Sequence, residues 1–109
     1  MVLLEMSITP LGKGESVSQY VADCVRLVAA SGLDYELHAM GTIVEGELDK
    51  VLDLMRQCIE LVARHSDRVT CTAKLDYRRG HAGRIQSKVE SVRQKLARHG
   101  ENPQQKTYE

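Results

Sequence analysis

Apolar residues in this chain repeat at every second position, then at every third or fourth, then at every second again. This switching of period restricts the fold more than any other feature. Val2, Leu4, Met6 and Ile8 point one way and Leu3, Glu5, Ser7 and Thr9 the other, which predicts a strand with one apolar face. Pro10, Gly12 and Gly14 interrupt it, and Ser16 with Gln19 three residues on forms a capping box for a helix. Val17, Tyr20, Val21, Cys24, Leu27 and Val28 recur at helical spacing until Gly32. Asp34 to Met40 predicts a second strand, with Tyr35, Leu37 and Ala39 opposed to Glu36, His38 and Met40. After a bend at Gly41, Thr42 to Glu45 predicts a third. Leu48 to His65 returns to helical spacing through Leu48, Val51, Leu52, Met55, Cys58, Ile59 and Val62. Arg68 to Tyr77 alternates again, Val69, Cys71, Ala73 and Leu75 against Thr70, Thr72, Lys74 and Asp76.

The order βαββαβ predicts an α+β fold, a ferredoxin-like antiparallel sheet with two helices on one face. An additional C-terminal helix, about Ala82 to Arg98, carries a thin apolar line of Ile85, Val89, Val92 and Leu96, too narrow for a core helix and suited to lying along a surface or a partner subunit. Gly100 and Pro103 end it. Residues 1–100 are thus expected to form one domain and residues 101–109 a polar, disordered tail.

Charge and cysteine usage narrow the function. Lys plus Arg and Asp plus Glu each total 15 in 109 residues, and the balance argues against nucleic acid or an anionic membrane as the main partner. The chain has no apolar run of membrane-spanning length, and its N-terminus does not read as a signal peptide, so a cytoplasmic location is expected. Cys24, Cys58 and Cys71 are odd in number and far apart, which suits neither a disulfide framework nor a metal knuckle; each falls on an apolar face and is expected to be buried and reduced.

With the apolar strand faces turned to the helices, the other sheet face would carry Glu5, Ser7, Thr9, Glu36, His38, Met40, Thr70, Thr72, Lys74 and Asp76. Antiparallel sheets commonly leave such a face wet or covered by another subunit, and the same face could receive a small polar ligand. Glu36 and His38 could form an acid/base pair, yet neighbours of this kind on one strand face are mostly structural. His65 and His99 come near helix C-termini, where the dipole accounts for them, and His81 lies in a glycine-flanked loop. No nucleophile, base and orienter come together, so no enzyme is expected.

The segments MGTIVEG (Met40 to Gly46), SDRVTCTAKLDYRRG (Ser66 to Gly80) and KVESV (Lys88 to Val92), in that order, resemble the thiamine-binding protein family, the YkoF-like proteins. Pro10, Gly12 and SVSQYVA (Ser16 to Ala22) extend the resemblance over residues 2–96. It implies the same fold, thiamine or a related aminopyrimidine as a bound ligand with no other cofactor, and a homo-oligomer, dimer or tetramer. A carboxylate can balance the thiazolium charge, and hydroxyls can meet the aminopyrimidine edge. The segment match then points to Glu45 as charge partner, which is otherwise an exposed strand carboxylate. Thr42 and Ser18 are candidates for the ring edge, although Ser18 could instead satisfy a backbone group. Ser7, Thr9, Met40 and Lys74 complete the candidate ligand-binding residues, while Tyr20, Tyr35, Tyr77 and Met40 could stack on the rings. Arg78, Arg79 and Arg84 could hold a phosphate, but the loop lacks a glycine-rich cradle and charge clusters in loops are usually solvated, so unphosphorylated thiamine is favoured. The alternatives are a structural or regulatory interaction module without a small-molecule ligand and, more remotely, an enzyme using Glu36 and His38.

Overall fold

A computed structural model describes residues 1–14, 17–80 and 83–98. Strand β1 (Val2–Pro10) leads to helix α1 (Ser18–Ala30), the hairpin of β2 (Asp34–His38) and β3 (Gly41–Gly46), helix α2 (Leu48–Ala63), strand β4 (Val69–Tyr77) and helix α3 (Arg84–Arg98). The four strands form one antiparallel sheet in the order β2-β3-β1-β4. This is the α+β ferredoxin-like arrangement the periodicity implies, with α1 and α2 against one face.

Period-two alternation in β1 decides which face is inside. Leu4 lies opposite Val44 and Leu75, and Met6 opposite Thr42 and Ala73, so these residues share the helix side. Val2, Leu4, Met6, Ile8 and Val44 bury against Cys24 and Val28 of α1 and Val51, Leu54, Cys58 and Val62 of α2. Each such aliphatic side chain contributes about 1.5–3 kcal/mol relative to exposure. The second helix sits slightly rotated from its sequence reading: Leu48 and Leu52 are exposed, and Leu54, absent from the expected stripe, is buried. The β4 flank lies at the rim of the helix layer, which leaves Leu75 and Tyr77 exposed and Cys71 half-buried rather than buried.

Boundaries shift where backbone geometry overrides pattern. The second strand stops at His38, because the chain reverses through Ala39 and Met40; Met40 is therefore a turn residue, 82% exposed, and not part of the polar sheet face. Glycine is required just beyond, since a Cβ on Gly41 would stand 2.8 Å from the Met6 carbonyl oxygen. At the end of α1, Gly32 takes φ 78°, the left-handed conformation that stops a helix after Ser31 has returned its amide to Leu27 and Val28. The Ser16 half of the expected capping box, His81, Ala82, His99 and the tail lie outside the described residues.

The last helix begins on the sheet face opposite α1 and α2, where it meets β3. Arg84 is its first residue and is buried, so the reading of Arg84 as a solvated loop cation is corrected. Of the described residues of α3, all but Arg84, Ile85 and Leu96 are exposed.

Candidate functional site

Two polar assemblies flank the sheet, one on each side. On the open side the alternation of β3 and β4 brings Glu45 and Asp76 to the same face, each opposite Leu3 of β1. Glu45 is 3% exposed, and both its carboxylate oxygens accept the Arg84 backbone N–H at 3.0 Å. It therefore acts as a cap for α3 donated by a distant strand, a negative charge where the helix presents unsatisfied amides. The exposed reading of Glu45 fails because the covering element arrives 39 residues later in the chain. Arg84 donates to the Asp76 carbonyl at 3.0 Å and to its Oδ2 at 2.5 Å, and Lys88 donates to the same Oδ2 at 2.6 Å. The Lys88 ammonium, followed by the charge of Arg84, holds the Asp76 carboxyl below the usual carboxylate range. The Arg84 Nε is buried without a partner among the described residues.

On the helix side a cleft of about 300 Å³ opens between α1 and the β2–β3 hairpin. Met6, Ile8, Val17, Val21, Val28 and Leu37 give it apolar walls, Cys24 and Thr42 bring polar side chains to it, and His38 borders it with its ring turned toward Glu5. Thr42 is buried here because its register opposite Met6 turns it to the helix layer. Met40 overhangs the mouth from the hairpin turn, which His38 closes by accepting the Met40 N–H at Nδ1, 3.2 Å away. The other ring nitrogen of His38 stands 3.3 Å from Glu5 Oε2, so its acidic neighbour is Glu5 on β1 and not Glu36. A wider groove of about 570 Å³ lies along α3 and reaches the sheet through Glu36, but it is bounded almost wholly by one side of an exposed helix.

Four of the seven residues singled out from the sequence thus border the cleft: Ser7, Thr9, Met40 and Thr42. Ser7 and Thr9 do so from strand positions whose alternation turns their side chains to the opposite face. Lys74 lies on that opposite face beside Glu5, Ser18 starts α1, and Glu45 caps α3; these three stand apart from the cleft. Cys24 and His38 border the cleft without having been chosen as ligand contacts. Only the packing of α1 on the hairpin reveals them, although Cys24 was visible as an apolar-face residue. Among the described residues no group of three or more His, Cys, Asp or Glu side chains is placed to hold a metal ion. No helix among them is long and apolar enough to cross a membrane.

The thiol pair inside the helix layer has its own electrostatics. Cys24 Sγ donates to the Cys58 carbonyl at 3.8 Å, and Cys58 Sγ returns the contact to the Cys24 carbonyl at 3.9 Å. The Cys58 S–H lowers the Cys24 thiol from its ordinary value by stabilising the thiolate, while serving as that donor and lying deeper raises Cys58.

The model of the family described as thiamine-binding protein matches residues 4–93. UPF0045 protein MJ1052 of Methanocaldococcus jannaschii is 37% identical over 91 residues, 84% of this chain and 91% of its own length. UPF0045 protein Mb1933 of Mycobacterium bovis is 37% identical over 98 residues, 89% of this chain and 96% of its own. The crystal structure of the Methanocaldococcus protein matches with a TM-score of 0.78, covering 84% of this chain and 94% of that one. A Thermotoga maritima structure, described provisionally as a thiamine biosynthesis/salvage protein, matches with a TM-score of 0.74 at 21% identity over 84% of this chain and 98% of its own, and at that identity shows the fold alone.

Proposed function

The chain belongs to the thiamine-binding protein family, and on that premise we propose that it binds thiamine or a related aminopyrimidine, without turnover, in the cleft between α1 and the β2–β3 hairpin. The observation that carries the reading is the cleft itself: apolar walls, a buried Thr42 hydroxyl and an overhanging Met40 thioether, in a volume of about 300 Å³. A flat heterocycle fits such a slot, the ring between Leu37 and the α1 side chains, its polar edge on Thr42 and its face under Met40. None of the described residues bordering the cleft is acidic or carries a fixed positive charge. The neutral pyrimidine therefore enters, and the thiazolium stays at the solvent-open mouth. The Glu45 carboxylate, spent on the α3 amide, is left out of this reading as a ligand contact.

Calorimetric titration with thiamine, its phosphates and the isolated aminopyrimidine tests this, together with amide shifts of the isotope-labelled chain. We expect saturable binding of thiamine and of the aminopyrimidine, with shifts gathered at Met6, Leu37, Thr42 and Val21. Replacing Thr42→Val removes one neutral hydrogen bond, about 0.5–1.5 kcal/mol, and should weaken binding roughly two- to tenfold. Absence of binding at millimolar ligand, or shifts confined to the open sheet face, overturns the reading.

A second reading, an interaction module, draws on α3, whose Val89 and Val92 are exposed along a stripe that its own chain leaves uncovered. The two are compatible in a homo-oligomer, dimer or tetramer, in which α3 packs against another copy in the cytoplasm.

A further inference from the structure

We propose that Cys24 and Cys58 are a modification site: a dithiol that a small hydroperoxide, entering through the cleft, converts into a disulfide joining α1 to α2. The inference starts from position. Cys24 borders the cleft, whereas Cys58 is fully buried behind it. Each thiol touches the other residue's backbone carbonyl, so the two side chains cross in the contact between the helices and face one another. Two small side chains thus meet at the helix crossing, the placement from which a disulfide between α1 and α2 would form. The third thiol, Cys71, sits half-buried on edge strand β4 and is not among the residues bordering the cleft.

The chemistry follows from the asymmetry of the pair. Cys24 is the thiol that a peroxide reaches, because it borders the cleft while Cys58 is fully buried behind it. The Cys24 sulfur attacks the outer peroxide oxygen, the O–O bond breaks, and the alkoxide or hydroxide that leaves takes up the thiol proton. Cys24 is then a sulfenic acid. The Cys58 sulfur attacks it, the S–O bond breaks, and the departing hydroxide takes the Cys58 proton as water. Two electrons pass from the two thiols to the peroxide, leaving one disulfide, one alcohol or water from the peroxide, and one further water. The oxidation requires only the cleft as an entry path; its control by ligand rests on the reading of the cleft as the thiamine site. An occupied cleft then shields Cys24, and an empty one exposes it.

The test treats the intact reduced chain with excess hydrogen peroxide, quenches at intervals and maps peptides by mass. The expected product has lost two hydrogens and links the Cys24 and Cys58 peptides, with Cys71 still alkylatable. In Cys58→Ser the reaction should stop at a sulfenic acid on Cys24 that dimedone traps. Mapping of the wild-type product decides the matter even if that variant does not fold. Over-oxidation of Cys71 with Cys24 and Cys58 untouched, or a disulfide that involves Cys71, overturns the assignment. A second arm repeats the time course at thiamine concentrations that the titration shows to saturate; Cys24 oxidation should slow at least tenfold. An unchanged rate at proven saturation overturns entry by the cleft. Failure of thiamine to bind shows in the titration and leaves the ligand-free oxidation as a separate result.

Discussion

A carboxylate set into the backbone of a distant helix explains more about this molecule than its charge suggests. Glu45 ends β3 on the face away from the core, yet it is as buried as the core because the Arg84 amide closes on both of its oxygens. Removing the charge while keeping the shape, Glu45→Gln, weakens the α3 cap and takes away an interaction with the positive end of the helix. The expected cost is about 1 kcal/mol of stability, read by denaturant melting. Thiamine affinity should be unchanged. A tenfold loss of affinity without loss of stability would instead move Glu45 into the ligand site. Nothing in GTIVEG alone could separate these roles, since a strand carboxylate next to a glycine looks the same whether a ligand or a helix covers it.

At the scale of elements, α3 is attached through its N-terminal part, where Glu45, Asp76, Arg84 and Lys88 meet. The attachment should depend on acid. Asp76 titrates below its ordinary range in the folded chain, so its stabilising contribution is complete above the unfolded value of about 3.9 and is lost as pH falls through the lower folded value. Amide exchange along α3 is therefore expected to rise relative to the sheet as pH drops below about 4. Asp76→Asn should show the same loosening at neutral pH. Equal exchange of α3 and the sheet across that range would mean that the apolar contacts of Ile85 hold the helix instead. Helices α1 and α2 and strands β1, β3 and β4 are held in addition by one shared apolar core, which does not titrate.

At the scale of the whole molecule, α1 and α2 cover one sheet face, while α3 covers only the part of the other face around Glu45. The hydroxyl-bearing half of the other face, Ser7 beside Thr72 and Thr9 beside Thr70, lies bare, and so does the stripe of α3. Val92 is 54% exposed, an arrangement that burial against a second copy would relieve. The edge strand β4 offers a further unpaired row of amides and carbonyls. Light scattering should find a homo-oligomer at tens of micromolar, and Val89→Asp with Val92→Asp should shift it to smaller species while circular dichroism keeps the sheet. A wild-type monomer at that concentration refutes the assembly.

The sequence by itself determined the layers and their order. Alternation in Val2 to Thr9 and Val69 to Tyr77, helical spacing in Val17 to Val28 and Leu48 to Val62, and the glycines at 32 and 41 are local signals whose meaning does not depend on remote residues. The MGTIVEG, SDRVTCTAKLDYRRG and KVESV segments also sufficed for the family. Only the tertiary structure decided what each polar residue faces. Met40 left the sheet because the hairpin turned two residues earlier than the alternation implied, and His38 met Glu5 across β3 instead of Glu36 on its own strand. Thr42 joined the helix-side cleft and Glu45 the cap of α3 although they lie only three positions apart, because neighbouring strand positions point to opposite faces and each face acquires its cover from a different, distant part of the chain.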